Sequence, residues 1–248
     1  MSIEFIITEK NAGLKKPILI EGLPGLGLVG TIAANYLVDK LKMKPYGYIT
    51  SNKFPPLIAI HNHIPEYPIR MYFSKKHNLI ILLSEFIIPL SSVKELSDKI
   101  FEFSKKRKVK EIVSLGSINM KGAQDTVYII TSDKKGLEKT RKLKDVELIK
   151  EGATTGVTAM LLAKGAVEKL PVISLLAEAN PEYVDPKAAS MVLKTLNELL
   201  KLKVCTSQLD KEARKMEKKM KELIGKGQDA QKQYKKMEQS DDLSTMYG

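Results

Sequence analysis

The chain has 248 residues, of which 43% are hydrophobic and 28% are charged, a composition that is typical of a globular protein and excludes an intrinsically disordered one. No apolar run approaches the roughly 18–20 residues of a membrane-spanning helix, and the N-terminus lacks the basic and then apolar layout of a secretory signal. Cys205 is the single cysteine, which excludes an intrachain disulfide and predicts a free, buried thiol. We therefore expect a cytoplasmic protein.

The strongest bias in the composition is basic charge, with a formal net charge of +12. Abundant charge of both signs favours the surface ion-pair networks of a hyperthermophilic protein. A basic chain is also compatible with nucleic-acid binding. However, the lysines are interleaved with glutamates, tryptophan is absent, and the sequence contains no signature of a nucleic-acid-binding module. Nucleic-acid binding is therefore the weakest of three functional hypotheses.

Short apolar runs alternate with helical patterns along most of the chain. In chain order, the patterns predict a strand over 17–20, a helix over 26–41, and closely spaced strands over 46–50, 57–60, 69–73 and 79–83. A capping box, Ser92 to Glu95, predicts the start of the next helix, and strands follow over 112–115 and 127–131. A helix over 155–166, a strand over 172–176 and a helix over 187–200 that is capped by Asp185 complete the series.

This alternation predicts the fold class. Continuous apolar strands between helices indicate a largely parallel sheet that is covered by helices on both faces. The four strands between residues 46 and 83 indicate an antiparallel or mixed portion. We therefore predict a three-layer α/β domain over residues 1–204, with a mostly parallel or mixed sheet.

From residue 201 onward the pattern changes to a heptad repeat that continues for about five heptads, as in a coiled coil. The stripe residues that we expect in contacts between chains are Leu209, Met216, Met220 and Leu223, and a tetramer is the first expectation. The alternative is an amphipathic helix that packs against its own domain. The prediction is a helical oligomerisation arm over 205–239, followed by a flexible tail over 240–248.

The segment from Gly25 to Gly30 matches the pattern G-x-G-x-x-G, which here follows a predicted strand and begins a predicted helix. This is the arrangement of a dinucleotide-binding turn. Such a turn also needs an acidic residue about 20 positions further on, and residues 48–52 contain none. The favoured interpretation is that the glycines permit a tight turn and close packing. A nucleotide-binding or phosphorylase-type enzyme is the alternative function.

Other candidate site residues lack a partner that would complete a site. His61 and His63 would share one face of a strand, but two zinc ligands without a third are a weak pattern. Glu85 and Glu178 are placed like catalytic carboxylates, yet the spacing suggests no nucleophile, base or acid beside them. A glycine-bracketed helix start at 152–156 lacks the Gly-Lys-Ser/Thr of a phosphate-binding loop. We therefore predict no enzymatic activity, no cofactor and no bound metal.

Four segments of the chain resemble the proteasome assembly chaperone family, in its archaeal branch. They are Glu-Gly-Leu-Pro-Gly-Leu-Gly-Leu-Val-Gly at 21–30, Ser-Leu-Gly at 114–116, Gly-Ala-Thr-Thr-Gly at 152–156, and the segment 180–189. The resemblance covers about residues 3–200. It implies a domain that is similar to the nucleoside-phosphorylase fold without its catalytic residues and that serves as a protein-binding body.

The last three residues, Met246, Tyr247 and Gly248, resemble the hydrophobic-Tyr-any ending of proteasome chaperones and proteasome-activating ATPases. The resemblance implies that these residues dock between neighbouring α subunits of the proteasome core particle, where the terminal carboxylate pairs with a lysine. The sequence has no ATPase signature. The expected function is therefore that of an assembly chaperone, an ATP-independent proteasome activator, or both.

Overall fold

The computed structural model describes residues 3–61, 63–119, 125–179 and 184–209. A single 3₁₀ turn, Leu26–Leu28, precedes the first α-helix. No helix within the described ranges is long and apolar enough to cross a membrane. The elements follow one another as β1 (Glu4–Ile7), β2 (Ile18–Gly22), α1 (Val29–Lys40), β3 (Lys44–Thr50), β4 (Ala59–His61), β5 (Ile64–Glu66), β6 (Ile69–Ser74), β7 (Leu79–Ser84), α2 (Leu90–Lys106), β8 (Glu111–Ile118), β9 (Val127–Thr131), α3 (Lys134–Thr140), β10 (Val146–Leu148), α4 (Gly156–Glu168), β11 (Val172–Glu178) and α5 (Pro186–Leu200).

A mixed sheet forms the middle layer of the domain, and nine strands of the described residues belong to it in the order β1-β3-β6-β7-β2-β8-β11-β9-β10. The centre is parallel, because β2 pairs in parallel with β7 and β8, and β8 with β11. Strands β1, β3, β6 and β7 pair antiparallel with their neighbours in that order. The predicted antiparallel or mixed portion between residues 46 and 83 is therefore confirmed, and β4 and β5 form a separate hairpin.

Two hydrophobic cores, one on each face of the sheet, hold the helices in place. The first core contains Leu37 of α1 and also residues of α5, and the second contains Phe101 of α2 and also residues of α4. Neighbouring residues of β7 alternate between the faces, so that Ile80 lies in the second core and Ile81 in the first. The predicted α/β class with helices on both faces of the sheet is confirmed.

The predicted capping box at Ser92 is wrong. Helix α2 begins at Leu90, with Pro89 at its N-cap, so Ser92 lies inside the first turn. The Ser92 side chain is buried, and its hydroxyl has no hydrogen-bond partner within the described residues. Glu95 instead accepts a hydrogen bond from the Ile3 N–H at 2.8 Å and pairs with Lys53. Contacts with distant parts of the chain therefore replace the local capping pattern.

The cap at Asp185 is confirmed, since its carboxylate accepts a hydrogen bond from the Ala188 N–H at 2.9 Å and α5 begins at the next residue, Pro186. Four short elements do not appear among the predicted ones: β1, β5, α3 and β10. Each has seven residues or fewer, which is too short for a periodic apolar pattern to stand out.

The packed domain extends beyond the predicted boundary at residue 204. Val204 and Leu209 are buried in the same core as α1 and α5. The Tyr36 hydroxyl donates a hydrogen bond to the Cys205 carbonyl at 2.6 Å, and the Asn197 amide donates one to the Val204 carbonyl at 2.7 Å. The prediction of a buried thiol is wrong, because the backbone of Cys205 contacts the domain while its side chain is exposed.

Candidate functional site

The carboxyl ends of parallel strands are the usual position of ligand sites in open α/β sheets. At this edge β2 ends at Gly22, and the chain turns through the segment from Gly25 to Gly30 into α1. For this turn the sequence left nucleotide binding and packing as alternatives. The surroundings of each glycine show which contacts require it.

Gly22 and Gly30 allow α1 to contact the sheet backbone. A Cβ atom on Gly30 would overlap the carbonyl oxygen of Leu115 in β8. One on Gly22 would lie 2.5 Å from the Cβ of Ala34 in α1. A side chain at either position would therefore push α1 away from the sheet. Packing therefore explains both glycines, although close helix–strand packing is also the role of the third glycine in a dinucleotide-binding turn.

Gly27 is required by the turn itself, because its φ of 61° lies in the left-handed region that favours glycine. Its carbonyl accepts a hydrogen bond from the Asp185 N–H at 2.9 Å, which links the turn to the start of α5. Gly25 differs, because its backbone is extended and a Cβ atom there would meet only the Ser117 hydroxyl, at 3.8 Å. Turn geometry thus accounts for Gly27, and packing accounts for Gly22 and Gly30. Neither reason requires a glycine at position 25.

Beside this turn lies a buried polar network that the sequence did not predict. The Ser114 hydroxyl donates a hydrogen bond of 2.6 Å to the Glu21 carboxylate, which also accepts one of 3.0 Å from the Leu23 N–H. The Thr158 hydroxyl lies 2.7 Å from that of Ser114. Burial raises the pKa of the Glu21 carboxyl, although its hydrogen bonds oppose the shift. The network joins β2, β8 and α4, so its hydrogen bonds connect one helix layer to the centre of the sheet.

In the sequence, the feature that indicates this network is Glu21, a glutamate at the end of an apolar run. A carboxylate in such a run must be paired or protonated if the strand is central. Ser114 and Glu21 are 93 positions apart, so only the parallel pairing of β2 with β8 brings them together.

Glu85, a predicted candidate carboxylate, is buried at the centre of a cluster of polar contacts. Its carboxylate lies 2.5 Å from the Arg70 guanidinium and 2.9 Å from His61 Nε2. Arg70 also pairs with Glu66. Because His61 belongs to β4 and Glu66 to β5, the cluster ties both strands of the small hairpin to the main sheet. These contacts give Glu85 a structural role in holding the hairpin.

The remaining candidates do not join this cluster. His63 is exposed in the turn between β4 and β5, with a φ of 68°. Glu178 is exposed at the end of β11, and residues 152–155 before α4 are exposed as well. Within the ranges that the structure describes, no group of three His, Cys, Asp or Glu side chains could hold a metal ion.

Comparison with known proteins assigns the chain to a family. The model of the PAC2 family matches residues 19–224. The chain belongs to the PAC2 family. It is also 34% identical over 209 residues to the protein MJ0106 of Methanocaldococcus jannaschii, an alignment that covers 84% of this chain and 86% of the relative.

Two solved structures from Pyrococcus furiosus share the fold. PbaA, described as an archaeal homolog of proteasome-assembly chaperone, superimposes with a TM-score of 0.81 at 30% identity, over 92% of this chain and 99% of PbaA. PbaB, described as an archaeal proteasome activator, superimposes with a TM-score of 0.73 at 27% identity, over 90% of this chain and 98% of PbaB. The resemblance to the proteasome assembly chaperone family is thus confirmed at the level of the family and of the fold.

Most of the predicted partner-binding residues lie outside the described ranges. These are the docking residues and three stripe residues: Met246, Tyr247, Gly248, Met216, Met220 and Leu223. Leu209, the fourth stripe residue, is fully buried in the core of its own chain. The oligomerisation arm stays a prediction, and Leu209 is a core residue of the domain.

Proposed function

We propose that this chain is a non-enzymatic proteasome-binding protein that docks its C-terminal residues on the α-ring of the proteasome core particle. It acts there as an assembly chaperone, as an ATP-independent activator, or as both. The observation that carries the proposal is the likeness to PbaA and PbaB, which spans at least 90% of this chain in each case. The descriptions of these two proteins name the proteasome in two roles, assembly and activation.

The carboxyl edge of the sheet supports a non-enzymatic role. At the glycine-rich turn, Gly30 packs on Leu115 and the Gly27 carbonyl accepts from the Asp185 N–H, so these two glycines serve contacts within the domain. Glu21 has its hydrogen bonds satisfied by Ser114 and the backbone. These contacts serve the stability of the domain, and in this proposal the function lies at surfaces that contact other proteins.

The docking element in this proposal is the C-terminal sequence Met246-Tyr247-Gly248. A terminal carboxylate and a phenol can hydrogen-bond in a pocket between two α subunits, while the methionine packs against its apolar wall. Several copies of such a tail in one assembly raise the effective concentration of each, so weak individual contacts give useful avidity. Without ATP hydrolysis, any opening of the gate is a population shift that the binding energy drives.

The test is capture of the purified core particle by the full chain and by a variant that lacks residues 246–248. We expect the full chain to retain the core particle and the truncated chain to lose it. Peptide hydrolysis by the captured particle then separates the roles, because an activator raises it and an assembly chaperone alone does not. Equal capture by both chains would overturn docking through the tail.

A further inference from the structure

Basic residues collect at the amino edge of the sheet, which is the edge opposite the glycine-rich turn. Strands β7, β2 and β8 are neighbours and run parallel, so the connections that lead into them meet at this edge. These connections, with the end of α2, comprise segments 10–17, 75–78 and 105–110, which we call the basic edge. The three segments contain three, two and five Lys or Arg residues respectively, and none of them contains Asp or Glu.

Hydrogen bonds between backbone groups and one amide hold the three segments beside one another. The Asn78 side-chain amide donates to the Lys15 carbonyl at 2.7 Å, and its oxygen accepts from the Lys15 N–H at 3.1 Å. The Lys110 N–H donates to the Pro17 carbonyl at 2.8 Å. The basic side chains therefore extend from a backbone whose segments are fixed relative to one another.

Most charges of the basic edge have no counter-charge beside them. Its nine lysines are all exposed, and Arg107 is half-buried. Among the residues that the structure describes, Lys105 alone of this set has an ion pair, with Glu168 of α4 at 2.8 Å. Charges of one sign on neighbouring connections create a positive surface potential. A bound polyanion would relieve their mutual repulsion.

The row of positive charge is long. Exposed lysines extend it on both sides, at Lys44, which begins β3, and at Lys169, shortly before β11. Strand β3 starts at the same edge because it pairs antiparallel with β6, which pairs antiparallel with β7. Five strand spacings separate β3 from β11, so the row is about 24 Å long. This length fits an extended polyanion better than a small anion.

The composition of the basic edge favours a nucleic acid over a protein or a membrane. The centres of protein interfaces are depleted in lysine and enriched in aromatic residues. A surface that binds a membrane needs apolar side chains that enter the bilayer boundary. The exposed large hydrophobic residues of the described ranges all lie outside the basic edge. Interfaces with nucleic acid are instead much more positively charged, and most of their hydrogen bonds go to phosphate and sugar.

The aromatic residues near the edge favour a duplex over a single strand. Proteins that bind single strands present exposed rings on which the bases stack. Here the two rings near Arg107 are those of Tyr46 and Phe103, with centroids 5.6 and 5.9 Å from the guanidinium, and both side chains are buried. They leave the charged groups as the contacts that a nucleic acid would meet.

We infer that the basic edge binds duplex nucleic acid through the phosphate backbone, with Lys16, Lys75 and Lys108 near the centre of the contact. Because phosphates carry no base information, the binding has no preference for sequence. Nucleic-acid binding ranks last on the sequence alone, since the lysines are interleaved with glutamates, but the fold gathers lysines of three distant segments at one edge. The inference goes beyond the proposed function and requires neither the proteasome nor the C-terminal residues.

The first test measures the affinity of the full chain for fluorescent duplex DNA and duplex RNA by anisotropy at increasing salt. Two duplexes of unrelated sequence should bind alike. Replacing Lys16, Lys75 and Lys108 together by Gln should lower the affinity at low salt at least about tenfold. The slope of log affinity against log salt should lose about three, one for each phosphate contact. Binding of either kind of duplex supports the inference, and binding of neither overturns it.

The matched control replaces Lys94, Lys187 and Lys194 together by Gln, which removes the same charge from exposed positions on α2 and α5, outside the basic edge. Its affinity should stay within about threefold of the wild type, because the edge keeps its phosphate contacts. An equal loss in both triple variants would show an effect of net charge alone and would overturn the inference. Tighter binding to a single strand, or competition by polyglutamate or anionic vesicles as effective as by unlabelled duplex at equal charge, would also overturn it.

The second test uses the wild-type chain and so does not depend on how a variant folds. Lysines are acetylated with and without saturating duplex, and their modification is measured by mass spectrometry. We expect the duplex to slow modification of Lys75 and Lys108 at least about fivefold, and to leave Lys94 and Lys194 unchanged, because bound phosphate covers only the edge. Equal modification of all four lysines in the complex would contradict binding at the basic edge.

Discussion

At the scale of single residues, the glycines of the turn make the packing interpretation testable position by position. A methyl group on Gly30 would overlap the Leu115 carbonyl, whereas one on Gly25 would meet only the Ser117 hydroxyl at 3.8 Å. We expect Gly30→Ala to lower the free energy of unfolding by about 1–3 kcal/mol, as overpacking does, and Gly25→Ala to change it little. Urea unfolding of both variants measures the difference. Similar losses would argue against packing as the reason for the pattern.

Glu21 carries a prediction about pH. Burial raises its pKa in the folded state, so its contribution to stability is complete below the unfolded-state pKa and is lost as the pH rises through the folded-state pKa. Glu21→Gln keeps the shape of the protonated side chain and cannot ionise. The unfolding free energy of the variant, relative to the wild type, should therefore increase as the pH rises from about 4 toward neutrality. Urea unfolding at each pH measures this difference. A decrease as the pH rises would contradict the prediction, because it would show that the folded domain stabilises the ionised form of the Glu21 carboxyl.

At the scale of helices and turns, two helix starts can be compared directly. Asp185 accepts a hydrogen bond from the Ala188 N–H, so Asp185→Ala should cost about 0.5–2 kcal/mol of stability. Ser92 matches a capping pattern but lies inside α2 with a buried hydroxyl that has no partner within the described residues. Ser92→Ala should thus be neutral or slightly stabilising, because it removes an unsatisfied polar atom. If Ser92→Ala lost as much stability as Asp185→Ala, Ser92 would contribute to the helix start after all, as the capping-box pattern predicted.

Ligand binding at the glycine-rich turn would distinguish the nucleotide-binding alternative from the proposed proteasome-binding function. If the turn serves packing, then NAD, NADP, ATP and nucleosides at millimolar concentration should leave the melting temperature unchanged. A ligand that binds only the folded state raises the melting temperature by mass action. A rise of several degrees with any of these compounds would favour the nucleotide-binding alternative.

The strands and helices differ in how far the sequence could predict them. The buried strands β2, β7, β8 and β11 are predictable because each contains a short, predominantly apolar run, as a central parallel strand requires. The three-residue strands β5 and β10 carry no such pattern. At the candidate site, the sequence indicates a tight, packed turn, but it cannot place Ser114 beside Glu21 or Arg70 beside Glu85. Those pairs arise from the pairing of β2 with β8 and from the position of the hairpin.

At the scale of the whole molecule, the described residues form a packed α/β domain with a hydrophobic core on each face of its sheet. At the carboxyl edge of the sheet, Gly30 of the turn packs on β8, and the β4–β5 hairpin is held in place by the contacts of Glu85 and Arg70. The packed core includes Leu209, so a substitution there would disturb the domain as well as any arm beyond it. Tests of assembly through the arm are therefore better made at Met216 and Met220.

The central claim is that the end of the chain docks on the proteasome, and the affinity of the core particle for Tyr247→Ala tests it most directly. Tyr247 is one residue from the terminus, so its loss should leave the melting temperature and the mass in solution unchanged. Truncation of an aromatic residue that dominates an interface costs about 2 kcal/mol or more, so we expect the affinity to fall by at least about tenfold. The neighbouring Thr245→Ala serves as the matched control and should bind like the wild type. Wild-type affinity of Tyr247→Ala would contradict docking through the C-terminal residues.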